Sequence, residues 1–501
     1  MATLPSRIKV APAATRHVYD VVVFGSQLGG ALCAALLAKR GARVLWVEHD
    51  GLGPGYVHDG FLLPFAPFVL PSIRAMPVAE QALTELGMTE QIRRAARTHT
   101  LQLILADHRP ELGDEKRTRA ELTREYGQNV EPLISSVLAA QESHRSTDPF
   151  FLESESLPPR GWLERWRVAR RARRTPALNA NPPLQGDSEV ERLLLAMIPF
   201  ATYQAAAAPL AVSRALSQVL HAPARFPGGR EALRELLAKR LTELGGAYIA
   251  RDEGHPGILE AFTFEGRRLS GVKVLGSDTV YRAHCIVAAT DSGVLRRLLP
   301  EKRRHRQLTE ELDRVTIERF MFALNWVVEA SALPRGMSDL LLVETSEADF
   351  GTILIQASPA RLESGKEDPA HVTLSAGVFL PLAARELGEK YMTQVSDRLN
   401  RELDRILPFV DRRRVLASAP YLHAKGNRGS RLFPHPLYAA EENLFQGVSG
   451  LAPRSAVPNL FYASREVLPG LGLEGELITG SRVARLVMEA LHKRPVHRRA
   501  A

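Results

Sequence analysis

Short apolar runs broken by glycine set the pattern of the first fifty residues. "YDVVVF" (19–24) is an almost continuous apolar run that ends at Gly25, as expected of a strand buried on both faces. "LGGALCAALLAKRG" has helical composition and stops at Gly41, a suitable helix terminator. "ARVLWVE" predicts a second buried strand, ending at Glu48. The three pieces make a βαβ unit of about 30 residues. Two later stretches repeat the theme. "RFPGGREALRELLAKRLTELGGAYIARDEG" predicts a glycine turn, an amphipathic helix and strands that end in "CIVAAT". "VPNLFYASREVLPGLGLEGELITGSRVARLVMEAL" predicts a strand leading through glycines into a helix that starts near Gly475. Between them, "RFMFALNWVVEA" alternates Phe320, Phe322, Leu324, Trp326 and Val328 along one face of a strand. "DLLLVE", "GTILIQAS" and "HVTLSAGVFLP" are its expected sheet partners.

The N-terminal βαβ unit has the layout of a dinucleotide site. Gly25 allows the tight turn, and Gly29 and Gly30 allow the helix to pack closely on the strand. Phosphate would sit at the helix N-terminus, where free N–H groups and the helix dipole favour anions. Glu48 ends the second strand 23 residues after Gly25, where an acid takes ribose hydroxyls and repels a 2′-phosphate. Gln27 stands where the G-x-G-x-x-G pattern has its second glycine. Its side chain must point aside, or donate its amide to a phosphate oxygen. A third alternative is a βαβ unit that kept its packing and lost its ligand.

Taken in order, "DVVVFGSQLGG", "VLWVE", "DGFLLP", "PGGREAL", "AHCIVAATD" and "NLFYASREVLPGLGLEGELITG" resemble the phytoene desaturase-like branch of the FAD-dependent amine oxidase/desaturase superfamily. The matching segments span residues 19 to about 490. The resemblance implies an α/β protein with a Rossmann-like FAD-binding domain built from discontinuous segments (1–80, 221–310, 451–501). A second α+β substrate domain (81–220, 311–450) would carry a mixed or antiparallel sheet. The implied cofactor is FAD. The expected cofactor-binding residues are Gly25, Ser26, Gln27, Leu28, Gly29, Gly30 and Glu48, with Arg465, Gly470, Gly472, Leu473, Glu474 and Gly475 in the last motif. That motif would line the flavin ring, with Gly470 and Gly472 bringing backbone close to it. Glu474 would cap the helix, face solvent or touch the flavin. The chain departs from the family at Gln27, at Tyr56 (near the place of a pyrophosphate-neutralising arginine) and at Ser464-Arg465, where Arg465 can supply the cation that Tyr56 does not. No acid–base pair stands out, so catalytic residues stay unassigned; in flavin chemistry the cofactor carries the hydride step.

The resemblance implies an FAD-dependent desaturase, isomerase or saturase acting on an apolar polyene, isoprenoid or related lipid. The sheet formed by the strand carrying Phe320 and its partners would roof its tunnel or form an ordinary sheet core. Two alternatives stand beside it: a non-catalytic flavin-fold partner or membrane scaffold, and a flavin amine oxidase. Composition adds one feature. The net charge is +9, and "RGWLERWRVARRARR" (160–174) holds seven arginines against one glutamate. As a helix it sets Trp162, Leu163, Trp166 and Ala169 on one side, which suits a helix lying on an anionic membrane or packing on its own domain. The tail "HKRPVHRR" is also basic. No nucleic-acid-binding motif accompanies this charge. Two cysteines, Cys33 in a predicted helix and Cys285 in a predicted strand, exclude a disulfide framework and fit a reducing compartment. The expectation is a cytoplasmic protein, with attachment to the inner membrane face as the option the basic helix raises. No metal spacing is present. "ESES" (153–156) reads as a solvated loop, and His423, Arg431 and His435 as surface-loop residues, with a catalytic histidine as the alternative. Oligomeric state is not legible.

Overall fold

The computed structural model describes residues 18–492 apart from 50–52, 154–155, 160, 180–183, 221–223, 251–258, 275–278, 300–304, 346–349, 425–434 and 441–444. Arg160, Arg431 and the tail beyond His492 lie outside the described residues.

Among the described residues the fold is α/β, built on two large sheets. In the first, β1 (Val18–Phe24) runs parallel to β2 (Val44–Val47) on one side and to Val280–Ala288 on the other. Val22 lies opposite both Leu45 and Ile286. Ala247–Ile249 extends the sheet beyond β2, and Leu460–Tyr462 pairs parallel with Val280–Ala288. An antiparallel hairpin, Leu259–Glu265 with Arg268–Val274, closes the other edge. This parallel centre requires cover on both faces, which explains the unbroken apolar runs in its strands.

Helix α1 (Leu28–Lys39) supplies part of that cover. It is buried from Leu28 to Ala38 and packs against the helices Gly229–Glu243 and Gly472–His492. A helix apolar on every side belongs inside a protein, and α1 is one. Cys33 and Cys285 are free and buried.

The second sheet has eight strands and is largely antiparallel, with its centre in Val315–Glu329, Thr352–Arg361 and Glu367–Pro381. The face bearing Phe320, Phe322, Leu324, Trp326 and Val328 packs beneath the helix Gly388–Ile406, against Met392, Val395, Leu399 and Leu403. This face is ordinary sheet core under the helix, while Leu340 and Leu354 of the same sheet line the cavity described below.

Trp162–Arg173 is helical as expected. Only Val168 is buried; Trp162 is 76% exposed and Trp166 56%. Arg170 lies over the Trp166 ring. No described helix is long and apolar enough to cross a membrane. Ser156 is buried, so at that residue "ESES" is not the solvated loop its composition suggested.

Candidate functional site

The loop from β1 into α1 fixes the geometry. Gly25 has φ +109°, and a Cβ there would lie 2.0 Å from the Ala289 carbonyl oxygen, so the turn admits only glycine. Gln27 is the N-cap residue of α1, with extended backbone and no capping bond from its side chain. Its amide points aside. Nε2 donates to Asp291 Oδ1 at 2.8 Å, and Oε1 accepts from the Arg465 backbone N–H at 2.9 Å. Arg465 in turn donates to both Asp291 oxygens and to the Tyr438 hydroxyl. The two departures from the family pattern are therefore in direct contact. Burial opposes ionisation of Asp291, but Arg465, Tyr438 and Gln27 outweigh it and hold the carboxyl below its usual range. Burial and Asp291 push the neighbouring Glu466 carboxyl up to about 8.

Glu48 stands at the end of β2, as expected, with 6% of its surface exposed. One oxygen pairs with Arg234 at 2.9 Å and the other accepts from the Tyr248 hydroxyl at 2.7 Å. A carboxylate offers about four acceptor positions, so these two bonds leave capacity for ribose hydroxyls.

The anion position at the start of α1 is engaged from within the chain. The Gly29 N–H donates to Glu476 Oε1 at 3.3 Å. Glu476 is completely buried and pairs with Arg230 at 2.6 Å. Tyr203 bridges the pair, accepting from Arg230 and donating to Glu476. Neither arginine was singled out in the sequence, although Arg230 and Arg234 are four apart on one helix and so share a face.

The last motif differs from expectation in detail. Its helix starts at Gly472, three residues before Gly475, because Pro469–Leu471 forms a 3-10 turn leading straight into it. Gly470 and Gly472 approach protein atoms: a Cβ would meet Gln204 Oε1 at 2.4 Å in one case and the Ala201 carbonyl oxygen at 1.9 Å in the other. Leu473 and Gly475 are buried beside them. Glu474 neither caps the helix nor faces solvent. It is fully buried and bonded to Arg214 and Gln218, and Arg214 also reaches Thr147 and Asp148. A buried charge survives only with such partners. Tyr56 is also committed elsewhere, hydrogen-bonded to Ser418 and Asn325.

His435 is corrected from surface loop to cavity wall. Its ring lies beside Tyr203 and Phe379, with Nε2 at 2.7 Å from the Thr202 carbonyl. Burial pulls its pKa down to about 4. It lines a cavity of about 40 Å³ with Tyr203, Phe68, Phe200, Gln218 and Leu473. That is room for a few waters. His423 is half-buried, its ring 4.5 Å from that of His58. Among the described residues no group of three His, Cys, Asp or Glu is placed to hold a metal ion.

The frame fits a dinucleotide: a glycine turn, a buried helix N-terminus and an acid at the end of β2. Ser464 Oγ, beside Arg465, is buried without a hydrogen-bond partner, which a bound group would satisfy. What opposes the fit is Glu476, which holds the anion position.

No protein-family model and no curated protein matches the chain. Solved structures do match its fold. An oxidoreductase from Methanosarcina mazei aligns over 94% of this chain and 99% of its own, with TM-score 0.55 and 15% identity. Cyclohexylamine oxidase from Brevibacterium oxydans aligns over 95% and 100%, with TM-score 0.54 and 15% identity. A putrescine oxidase variant redesigned in cofactor binding aligns over 94% and 99%, with TM-score 0.56 and 14% identity. At such identity the likeness establishes the fold alone, a Rossmann-like α/β fold shared with these oxidoreductases. It does not single out the desaturase branch.

Proposed function

We propose that the chain is an FAD-dependent oxidoreductase acting on an apolar substrate. The observation that carries this reading is Glu48 at the end of β2, beside the glycine turn at Gly25, in a fold shared over 94% of the chain with an oxidoreductase. Gly25 to Gly30 and Glu48 would hold the dinucleotide. Arg465, tied through Asp291 to Gln27, would fix the loop that faces it. When bound, the flavin would supply the two-electron acceptor. The chain's own part is to orient the substrate and exclude water.

The cavity beside Leu473 supports an apolar substrate class. Its walls are mainly Pro67, Phe68, Val69, Met197, Phe200 and Leu354, and no carboxylate is among the lining residues. A charged amine would find no counter-ion there, which favours an apolar reactant such as a polyene over an amine. At about 40 Å³ the cavity must widen to admit one. An apolar reactant is scarce in water, so the exposed Trp162 and Trp166 with their arginines suit collection from an anionic membrane.

A second reading, a non-catalytic flavin-fold protein, is favoured by Glu476 at the Gly29 N–H. The visible spectrum after reconstitution separates the two. Flavin bands that survive gel filtration support the first reading; a colourless protein supports the second.

A further inference from the structure

The first four N–H groups of a helix have no partner inside it, and a buried helix N-terminus must find one. In α1 the Gly29 N–H finds Glu476, a carboxylate contributed from 447 residues away. Glu476 sits in the helix Gly472–His492, which packs directly on α1: a Cβ on Gly480 would lie 2.2 Å from the Gly29 carbonyl oxygen. The two helices cannot separate locally without breaking that contact, so the carboxylate is held in place by the packing. Its charge is answered by Arg230, which retains 17% side-chain exposure while Glu476 retains none. The set of groups is that of a phosphate site: a helix N-terminal amide, an arginine and a tyrosine hydroxyl converging on one anion. Here the anion belongs to the protein.

We infer that Glu476 is a built-in competitor for the phosphates of the nucleotide, holding the Gly29 N–H and Arg230 in the cofactor-free chain and setting how tightly a dinucleotide binds. The inference rests on the proposed nucleotide site, but it concerns the anion position itself. Removing the carboxylate leaves an amide and an arginine facing an unfilled space, which is an anion site. The wild-type chain must first break a buried pair, so its affinity is lowered by the same interaction that closes the site. Arg230 is the second half of the latch: it pairs with Glu476 when the site is closed and is free to meet phosphate when Glu476 is absent.

The test uses the full chain as wild type, Glu476→Ala, Glu476→Gln and Glu476→Ala/Arg230→Gln. FAD is titrated in by flavin fluorescence, and inorganic pyrophosphate is added in a thermal-shift assay. FAD should bind Glu476→Ala at least tenfold more tightly than wild type. Pyrophosphate should raise the melting temperature of Glu476→Ala and leave wild type unmoved, and both gains should vanish in the double variant. Glu476→Gln keeps the shape and loses the charge, so it covers the case in which the alanine variant fails to fold; it should fall between the two. Equal or weaker binding of FAD and no pyrophosphate response in folded variants would overturn the inference. A pyrophosphate response without FAD binding would uphold the anion position and remove the FAD reading instead.

Discussion

Gln27→Gly restores the fingerprint, and on this structure it should destabilise the protein. Gln27 is 95% buried, and its amide is used at both ends: Nε2 to the Asp291 carboxylate, Oε1 from the Arg465 backbone N–H. The first bond is charge-assisted and contributes roughly 1.5–3 kcal/mol; the second is neutral and contributes about 1 kcal/mol. The backbone at Gln27 is extended (φ −75°, ψ 147°), which any residue adopts, so glycine gains nothing there. It adds roughly 0.5 kcal/mol of extra chain entropy to be lost on folding. The sum is about 3–4.5 kcal/mol. Denaturant unfolding followed by tryptophan fluorescence should show a clearly lower midpoint at pH 7. Gln27→Glu should be no better, because it sets a second carboxylate against Asp291. A Gln27→Gly midpoint equal to that of wild type would refute the bridging role, and with it the argument that the non-glycine residue belongs in this loop.

Glu474→Ala leaves Arg214 buried with its main counter-charge gone, which should cost about 3–5 kcal/mol in the same unfolding assay; a loss below about 1 kcal/mol would contradict the buried pair. Glu466 supplies a pH dependence. Its folded pKa is raised from 4.5 to about 8, so the native state holds the proton more tightly. Its stability contribution is complete below about pH 4.5 and is lost as pH rises through about 8. Melting temperature should fall from pH 5 to pH 8.5, and Glu466→Gln should flatten that fall; an unchanged slope would count against the shift. The wild-type chain should sediment with anionic vesicles at low salt and release as salt rises, because each nearby arginine contributes about 1 kcal/mol and the attraction is screened. Trp162→Ala/Trp166→Ala should lose most of that binding, and equal sedimentation of variant and wild type would exclude the helix as the docking site.

The strand–loop–helix frame was legible because its physics is local. An unbroken apolar run, a glycine turn and an acid at a fixed distance leave few other arrangements, and β1, α1 and β2 fall where the pattern put them. The ion pairs were not legible, because each joins residues far apart in the chain. Asp291 and Arg465 are 174 positions apart, and Arg230 and Glu476 are 246 apart. Glu474 lies near a helix start, which left it as a cap, a solvent-facing residue or a flavin contact; the burial that turns it toward Arg214 comes from packing against another segment. His435 was misread for the same reason: "FPHPLY" has loop composition, while Tyr203 and Phe379, which enclose the ring, lie on distant segments. One signal was present and unused. Arg230 and Arg234, spaced for one helix face directly after a glycine turn, mark a helix that carries charge inward.

The central claim is that Glu48 closes a nucleotide site that takes FAD. Calorimetric titration of FAD into wild type and Glu48→Ala tests it most directly. One FAD should bind per chain in wild type. Glu48→Ala should weaken binding by about 1–3 kcal/mol, or roughly 5- to 150-fold, through the loss of hydrogen bonds to the ribose hydroxyls. Equal affinity in the two proteins, or no binding by wild type at any FAD concentration, would contradict the account.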